Sequence, residues 1–157
     1  MESNLDQMYR EVILDHHRFP RNVEALQKPT FHAEGYNPLC GDKIELEIEI
    51  DSNKVIKAMS SKSCGCSISI ASGSIMSEEV LGKTLMEARQ EVDDFRAVMA
   101  GKKQFESSTG DVEALEGVKK FPVRIKCALL SWATLAQGID EYLGKTAHLV
   151  AKTEDGT

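Results

Sequence analysis

The chain has 157 residues, of which 41% are apolar and 28% charged, with a formal net charge of -6. That length suits one domain with a core of its own, and the acidic balance argues against a basic face built for nucleic acid. The apolar runs reach only a few residues, far short of the roughly 20 that a membrane span needs, and the polar start Met1-Glu2-Ser3-Asn4 does not read as a secretory signal, so a cytoplasmic protein is expected.

Asn4 to about Arg18 reads as an amphipathic helix, with Leu5, Met8, Tyr9, Val12 and Ile13 at helical spacing and Asn4 able to cap it. Pro20-Arg21-Asn22 ends it. Residues 23–39 carry Pro29, Gly35, Asn37 and Pro38 and are expected to be irregular. Lys43 to Ile50 alternates Ile44, Leu46, Ile48 and Ile50 with Lys43, Glu45, Glu47 and Glu49, which predicts a strand with one buried and one solvated face. Asp51-Ser52-Asn53 then turns the chain, and Lys54 to about Ser61 returns antiparallel.

Ser67 to Leu81 reads as a helix whose first part is small: Ser67, Ser69, Ala71, Ser72, Gly73 and Ser74 let it approach a sheet closely. Thr84-Leu85-Met86-Glu87 is a capping-box pattern opening a third helix, with Leu85, Ala88, Val92, Phe95 and Met99 on one face. A polar loop follows, then a short helix over Asp111 to Gly117. Phe121-Pro122 starts a long helix that carries Val123, Cys127, Leu130, Trp132 and Ala133 and runs to about Leu143, with proline suited to its first position. Residues 145–157 are poor in apolar side chains and are expected to form a flexible tail beyond a single domain over residues 4–144. Helix, strands, then helices predict an α+β fold, a small antiparallel sheet covered by helices.

Four cysteines without an export signal argue against structural disulfides, and Cys64 and Cys66 are too close to bridge without strain. Cys40-Gly41-Asp42 lies in a turn before a strand. Cys66 lies where a helix begins, and the unpaired N–H groups there favour a thiolate. Cys127 lies in the first turns of the last helix, with Arg124 three residues earlier on the same face. Three thiols and a carboxylate from three segments form a four-coordinate site if the fold joins them, since zinc accepts both donor types. With a divalent cation the site would carry a charge of about -2, which Arg124, Lys126 and Lys62 would offset. Buried, inert thiols remain the alternative at this point. His16 and His17 are assigned a surface or capping role at the end of the first helix. His32 and His148 have no evident partners.

Four segments carry a resemblance: Asp15-His16-His17-Arg18-Phe19-Pro20-Arg21-Asn22, Asn37-Pro38-Leu39-Cys40-Gly41-Asp42, Gly65-Cys66-Ser67-Ile68-Ser69, and Phe121-Pro122-Val123-Arg124-Ile125-Lys126-Cys127. Together they resemble the U-type iron–sulfur assembly proteins, which comprise the IscU scaffolds and the SufU proteins. The stretch from Gly110 to Val118 looks like the SufU insertion. Lys126 stands before the last cysteine, as in SufU proteins, where IscU scaffolds have histidine.

The resemblance implies a SufE/NifU-like, IscU-type fold and a Zn2+ site made by Cys40, Asp42, Cys66 and Cys127. It implies a sulfurtransferase that activates a SufS-type cysteine desulfurase rather than a stand-alone enzyme. Cys40 would accept the persulfide sulfur for a downstream iron–sulfur scaffold, and Arg124 would contact the anion. Two alternatives stay open. One is an IscU-type scaffold holding iron or a [2Fe-2S] cluster, and the other is a structural zinc module that docks a partner. Cys64 departs from the family pattern; it is either idle, a rival ligand or a sulfur relay.

Overall fold

A computed structural model describes residues 4–106, 110–144 and the backbone of 151–152. Helix α1 covers Asn4–Arg18; strands β1, β2 and β3 cover Phe31–Asn37, Asp42–Ile50 and Ile56–Cys64. Helices α2, Ser67–Val80, and α3, Leu85–Met99, follow; a 3-10 segment, Gly110–Lys120, leads into α4, Pro122–Tyr142. Strands β1 to β3 form an antiparallel meander, and the short β4, Ala151–Lys152, adds parallel to β1 at Gly35 and Tyr36. The rest of the expected tail, with His148, lies outside the described residues.

Alternation dictates how the sheet is used. Ile44, Leu46 and Ile48 of β2 are buried, while Lys43 and Glu45 on either side of Ile44 are exposed. The buried face meets α2 and α4. The small stretch of α2 has the predicted consequence: a Cβ on Gly73 would lie 2.7 Å from Ser63 Oγ, so the helix sits almost on the strand. Ser72 donates to the Ala128 carbonyl at 2.6 Å and receives the Trp132 indole N–H at 3.1 Å, which joins α2 to α4 through satisfied polar groups. Trp132 stacks on Phe95 with ring centroids 4.3 Å apart, so α3 closes the core from the far side. The capping box at Thr84 and Glu87 forms as read, each side chain bonding the other residue's backbone N–H.

Strand β1 differs from the expectation of irregular chain over residues 23–39. Its inward positions are Ala33, Gly35 and Asn37, all buried. A Cβ on Gly35 would lie 2.0 Å from Thr134 Oγ1, so α4 crosses the strand too closely for any larger side chain. Gly35, which reads as a turn former, is small because of this contact, and tertiary packing overrides its local preference.

Candidate metal centre

The meander places its turns beside one helix end. Asn37 pairs with Asp42, closing a four-residue turn in which the Asn37 carbonyl accepts from the N–H groups of Cys40, at 3.2 Å, and Gly41, at 2.8 Å. Gly41 has φ +72°, the left-handed region that an L side chain disfavours, and so delivers Asp42 directly into β2. Cys40 is half-buried at the tip of this turn, and Asp42 is fully buried at the start of the strand.

On the neighbouring strand, Gly65 turns the chain from β3 into α2 with φ +134°. A Cβ there would lie 2.1 Å from Asp42 Oδ1, so glycine is required on both conformational and steric grounds. The next residue, Cys66, is the N-cap of α2: its backbone N–H donates to Asp42 Oδ1 at 2.8 Å and its Sγ accepts from Ser69 N–H at 3.4 Å. A sulfur thus occupies the place that serine or aspartate usually takes at a helix start.

Helix α4 supplies the third segment. Pro122 starts it, and Cys127 points from its second turn into the gap, fully buried. The Cys127 and Cys40 sulfurs are 3.4 Å apart, both free thiols. That spacing is near the ~3.8 Å that two thiolates take on one tetrahedral zinc. Donor atoms of Cys40, Asp42 and Cys127 all lie within 4.8 Å of one another. Cys66 stands slightly outside this group, its Sγ 3.6 Å from Asp42 Oδ2. All four predicted residues therefore face one gap, three tightly gathered and the fourth beside the carboxylate.

Electrostatics state what the gap lacks. Burial pushes the Cys127 thiol far up, and hydrogen bonding to Asp42, Cys40 and Cys66 pushes it the same way. Arg124, exposed at the mouth, is a cation in contact with the gap, and its pKa is raised by hydrogen bonding to Cys127 and by attraction to Cys66 and Cys127. A buried carboxylate among three thiols is a poor arrangement without a cation and a good one with a borderline-soft divalent ion. The donor set of three sulfurs and one oxygen fits zinc, which Cys40, Asp42, Cys66 and Cys127 would hold. The buried Asn37 Nδ2 at the foot of the turn also lacks a hydrogen-bond partner.

The family model of the NifU-like N terminal domain matches residues 8–148. The chain belongs to this family. It is 42% identical over 138 residues to the zinc-dependent sulfurtransferase SufU of Bacillus subtilis, covering 87% of this chain and 92% of that one. It is 37% identical over 144 residues to the iron–sulfur cluster assembly scaffold protein IscU of Streptococcus pyogenes, covering 87% and 86%. A candidate iron–sulfur cluster assembly scaffold protein for the SUF system from Fervidobacterium islandicum superposes with a TM-score of 0.77 at 32% identity, covering 85% of this chain and 97% of that one. The N-terminal part of a NifU-like protein from Brucella abortus shares the fold, with a TM-score of 0.78 at 23% identity. The resemblance read from four short segments is thus a family membership spanning the domain.

Of two further residues, Cys64 stands apart from the gap and His16 falls elsewhere than expected. Cys64 is exposed at the end of β3, opposite Lys43, and joins no group of converging donor atoms among the described residues. His16 is fully buried, not on the surface: its Nδ1 lies 2.7 Å from Ser74 Oγ and its Nε2 2.7 Å from Asp111 Oδ2. The signal was present in the sequence. His16 follows Tyr9, Val12 and Ile13 at helical spacing and so extends the inward stripe of α1.

Proposed function

We propose that this chain is a zinc-dependent sulfur-transfer protein of iron–sulfur cluster assembly, acting in the cytoplasm. It would take sulfur from a SufS-type cysteine desulfurase and pass it to a downstream scaffold. The observation that carries the reading is the 3.4 Å approach of Cys40 to the buried Cys127 beside the fully buried Asp42. The likeness to the Bacillus subtilis sulfurtransferase supports it.

Zinc, when bound by Cys40, Asp42, Cys66 and Cys127, supplies positive charge that keeps these thiols ionised at neutral pH. The chain divides the remaining tasks. Cys127 is buried and held by a long helix, so it is a fixed ligand. Cys66 is fixed by its N-cap bonds. Cys40 sits half-buried at the tip of a turn and, unlike the equally half-buried Cys66, caps no helix, so it is the ligand free to meet a partner. Its thiolate attacks the outer sulfur of the partner's persulfide. A new S–S bond forms at Cys40, the bond to the partner's cysteine breaks, and that cysteine leaves as a thiolate. The exchange is redox-neutral. Arg124, at the mouth, holds the anionic persulfide by charge. Exposed Leu39 and Val123, next to Cys40 and Arg124 in sequence, give the mouth an apolar rim for docking.

The test mixes the chain with a SufS-type desulfurase and cysteine. Cysteine turnover is expected to rise, and mass spectrometry should find one added sulfur on Cys40. A Cys40→Ala variant that stimulates as well as the native chain would contradict the assignment. The scaffold reading is favoured by the likeness to IscU of Streptococcus pyogenes. It predicts a brown protein after anaerobic reconstitution that passes its cluster to an apo-ferredoxin.

A further inference from the structure

A second group of donor atoms lies away from the thiols. His16 ends α1, Glu78 lies in the last turns of α2, and Asp111 opens the 3-10 segment. His16 Nε2 is 2.7 Å from Asp111 Oδ2 and 3.8 Å from Glu78 Oε1, and the three donor atoms lie within 4.8 Å of one another. The imidazole is fully buried, whereas the Glu78 and Asp111 side chains are 48% and 53% exposed, so the group opens outward to water.

Three features distinguish it from an ordinary surface cluster. First, the imidazole is oriented from behind: Ser74 Oγ, itself buried and receiving the Arg21 backbone N–H at 2.9 Å, lies 2.7 Å from Nδ1. A hydroxyl can donate or accept there. When it accepts from Nδ1–H, the Nε2 lone pair faces the two carboxylates, the arrangement that metal-binding histidines use. Second, neither Glu78 nor Asp111 pairs with a lysine or arginine among the described residues. Third, the ligands come from three elements, and Ser74 and Glu78 are one helical turn apart, so a cation would join α1, α2 and the 3-10 segment at one point.

We propose that His16, Glu78 and Asp111 form a second divalent cation site. Its one nitrogen and two carboxylate donors suit harder first-row ions, Mn2+ or Fe2+, while the three-thiol centre suits zinc. The sites are separate: Ser74 is eight residues along α2 from the N-cap Cys66, about 12 Å of helix. Fe2+ as the ion held in the cell follows only if the chain serves iron–sulfur assembly, and that clause rests on the proposed function.

The experiment adds Mn2+ to the zinc-loaded chain and reads free and bound Mn2+ by electron paramagnetic resonance. About one further Mn2+ per chain is expected, displaced by anaerobic Fe2+, which stands above it in affinity order. Asp111→Asn and Glu78→Gln, both substitutions at half-exposed side chains, should each weaken it roughly tenfold or more while leaving the zinc in place. Absence of Mn2+ uptake, or uptake equal in both variants and the native chain, overturns the site and leaves His16, Ser74 and Asp111 as a hydrogen-bonded joint. Because the signal follows Glu78 and Asp111 and not sulfur transfer, either reading can fail without the other.

Discussion

Trp132 and Asp42 are both fully buried, at the centres of two oppositely made regions, the core and the gap. In the core each group finds its partner inside the chain. Phe95 stacks on Trp132, and the indole N–H and the Ser72 hydroxyl are both bonded. In the gap, the buried Asp42 carboxylate lies 3.6 Å from the Cys66 sulfur, the Cys40 and Cys127 sulfurs are 3.4 Å apart, and burial opposes ionisation of the one thiol that is fully enclosed. Packing completes the first region. The second is a donor set that could hold a metal ion. Stability therefore resides mainly in the core and chemistry in the gap, and substitutions should separate the two.

The largest effect is expected in the core. Trp132→Ala should lose about 3–5 kcal/mol in urea unfolding, since it opens a cavity under α3 and removes the indole N–H that Ser72 accepts. The folded fraction of that variant should still retain zinc as the native chain does; loss of zinc at full folding would show that the two regions are not separable.

Gly65→Ala lies between the regions and should affect both. A Cβ there meets Asp42 Oδ1 in a backbone conformation that alanine disfavours. About 1–3 kcal/mol of stability should go, and zinc retention should fall more than that stability loss explains, because Asp42 is the atom displaced. Equal metal retention at reduced stability would remove Asp42 from the ligand set.

The smallest effect belongs to α3, remote from the gap. Thr84→Ala should cost about 1 kcal/mol in thermal or urea unfolding and leave metal content and sulfur transfer untouched. The Glu87 carboxyl is held below its ordinary range by the Thr84 backbone and side-chain bonds. A depressed carboxyl contributes its stability above the unfolded-state pKa and loses it as pH falls through the folded-state value. The native chain should therefore lose this increment on acidification, and Thr84→Ala should show less of that loss.

The sequence made some of this legible, for reasons that particular residues explain. Alternation in β2 was readable because one face is buried and the other solvated. The start of α3 was readable because its capping box is a local device. The small residues of α2 announced close packing without saying against what. Strand β1 was not readable, because Ala33 and Gly35 are kept small by the crossing of α4 at Gly138 and Thr134, contacts between positions about 100 apart in the chain. The inward direction of His16 is legible in the stripe of α1, but its partners, Ser74 and Asp111, are 58 and 95 residues away and are not. The four site residues were nominated from local context and family motifs, and their meeting is a property of the fold alone.

X-ray absorption at the zinc edge, on chain purified without added metal, tests that meeting most directly. The account predicts about one zinc per chain with a shell of three sulfurs near ~2.3 Å and one lighter scatterer, the latter lost or altered in Asp42→Ala. A shell with two sulfurs or fewer, or a chain that holds no metal, would contradict it.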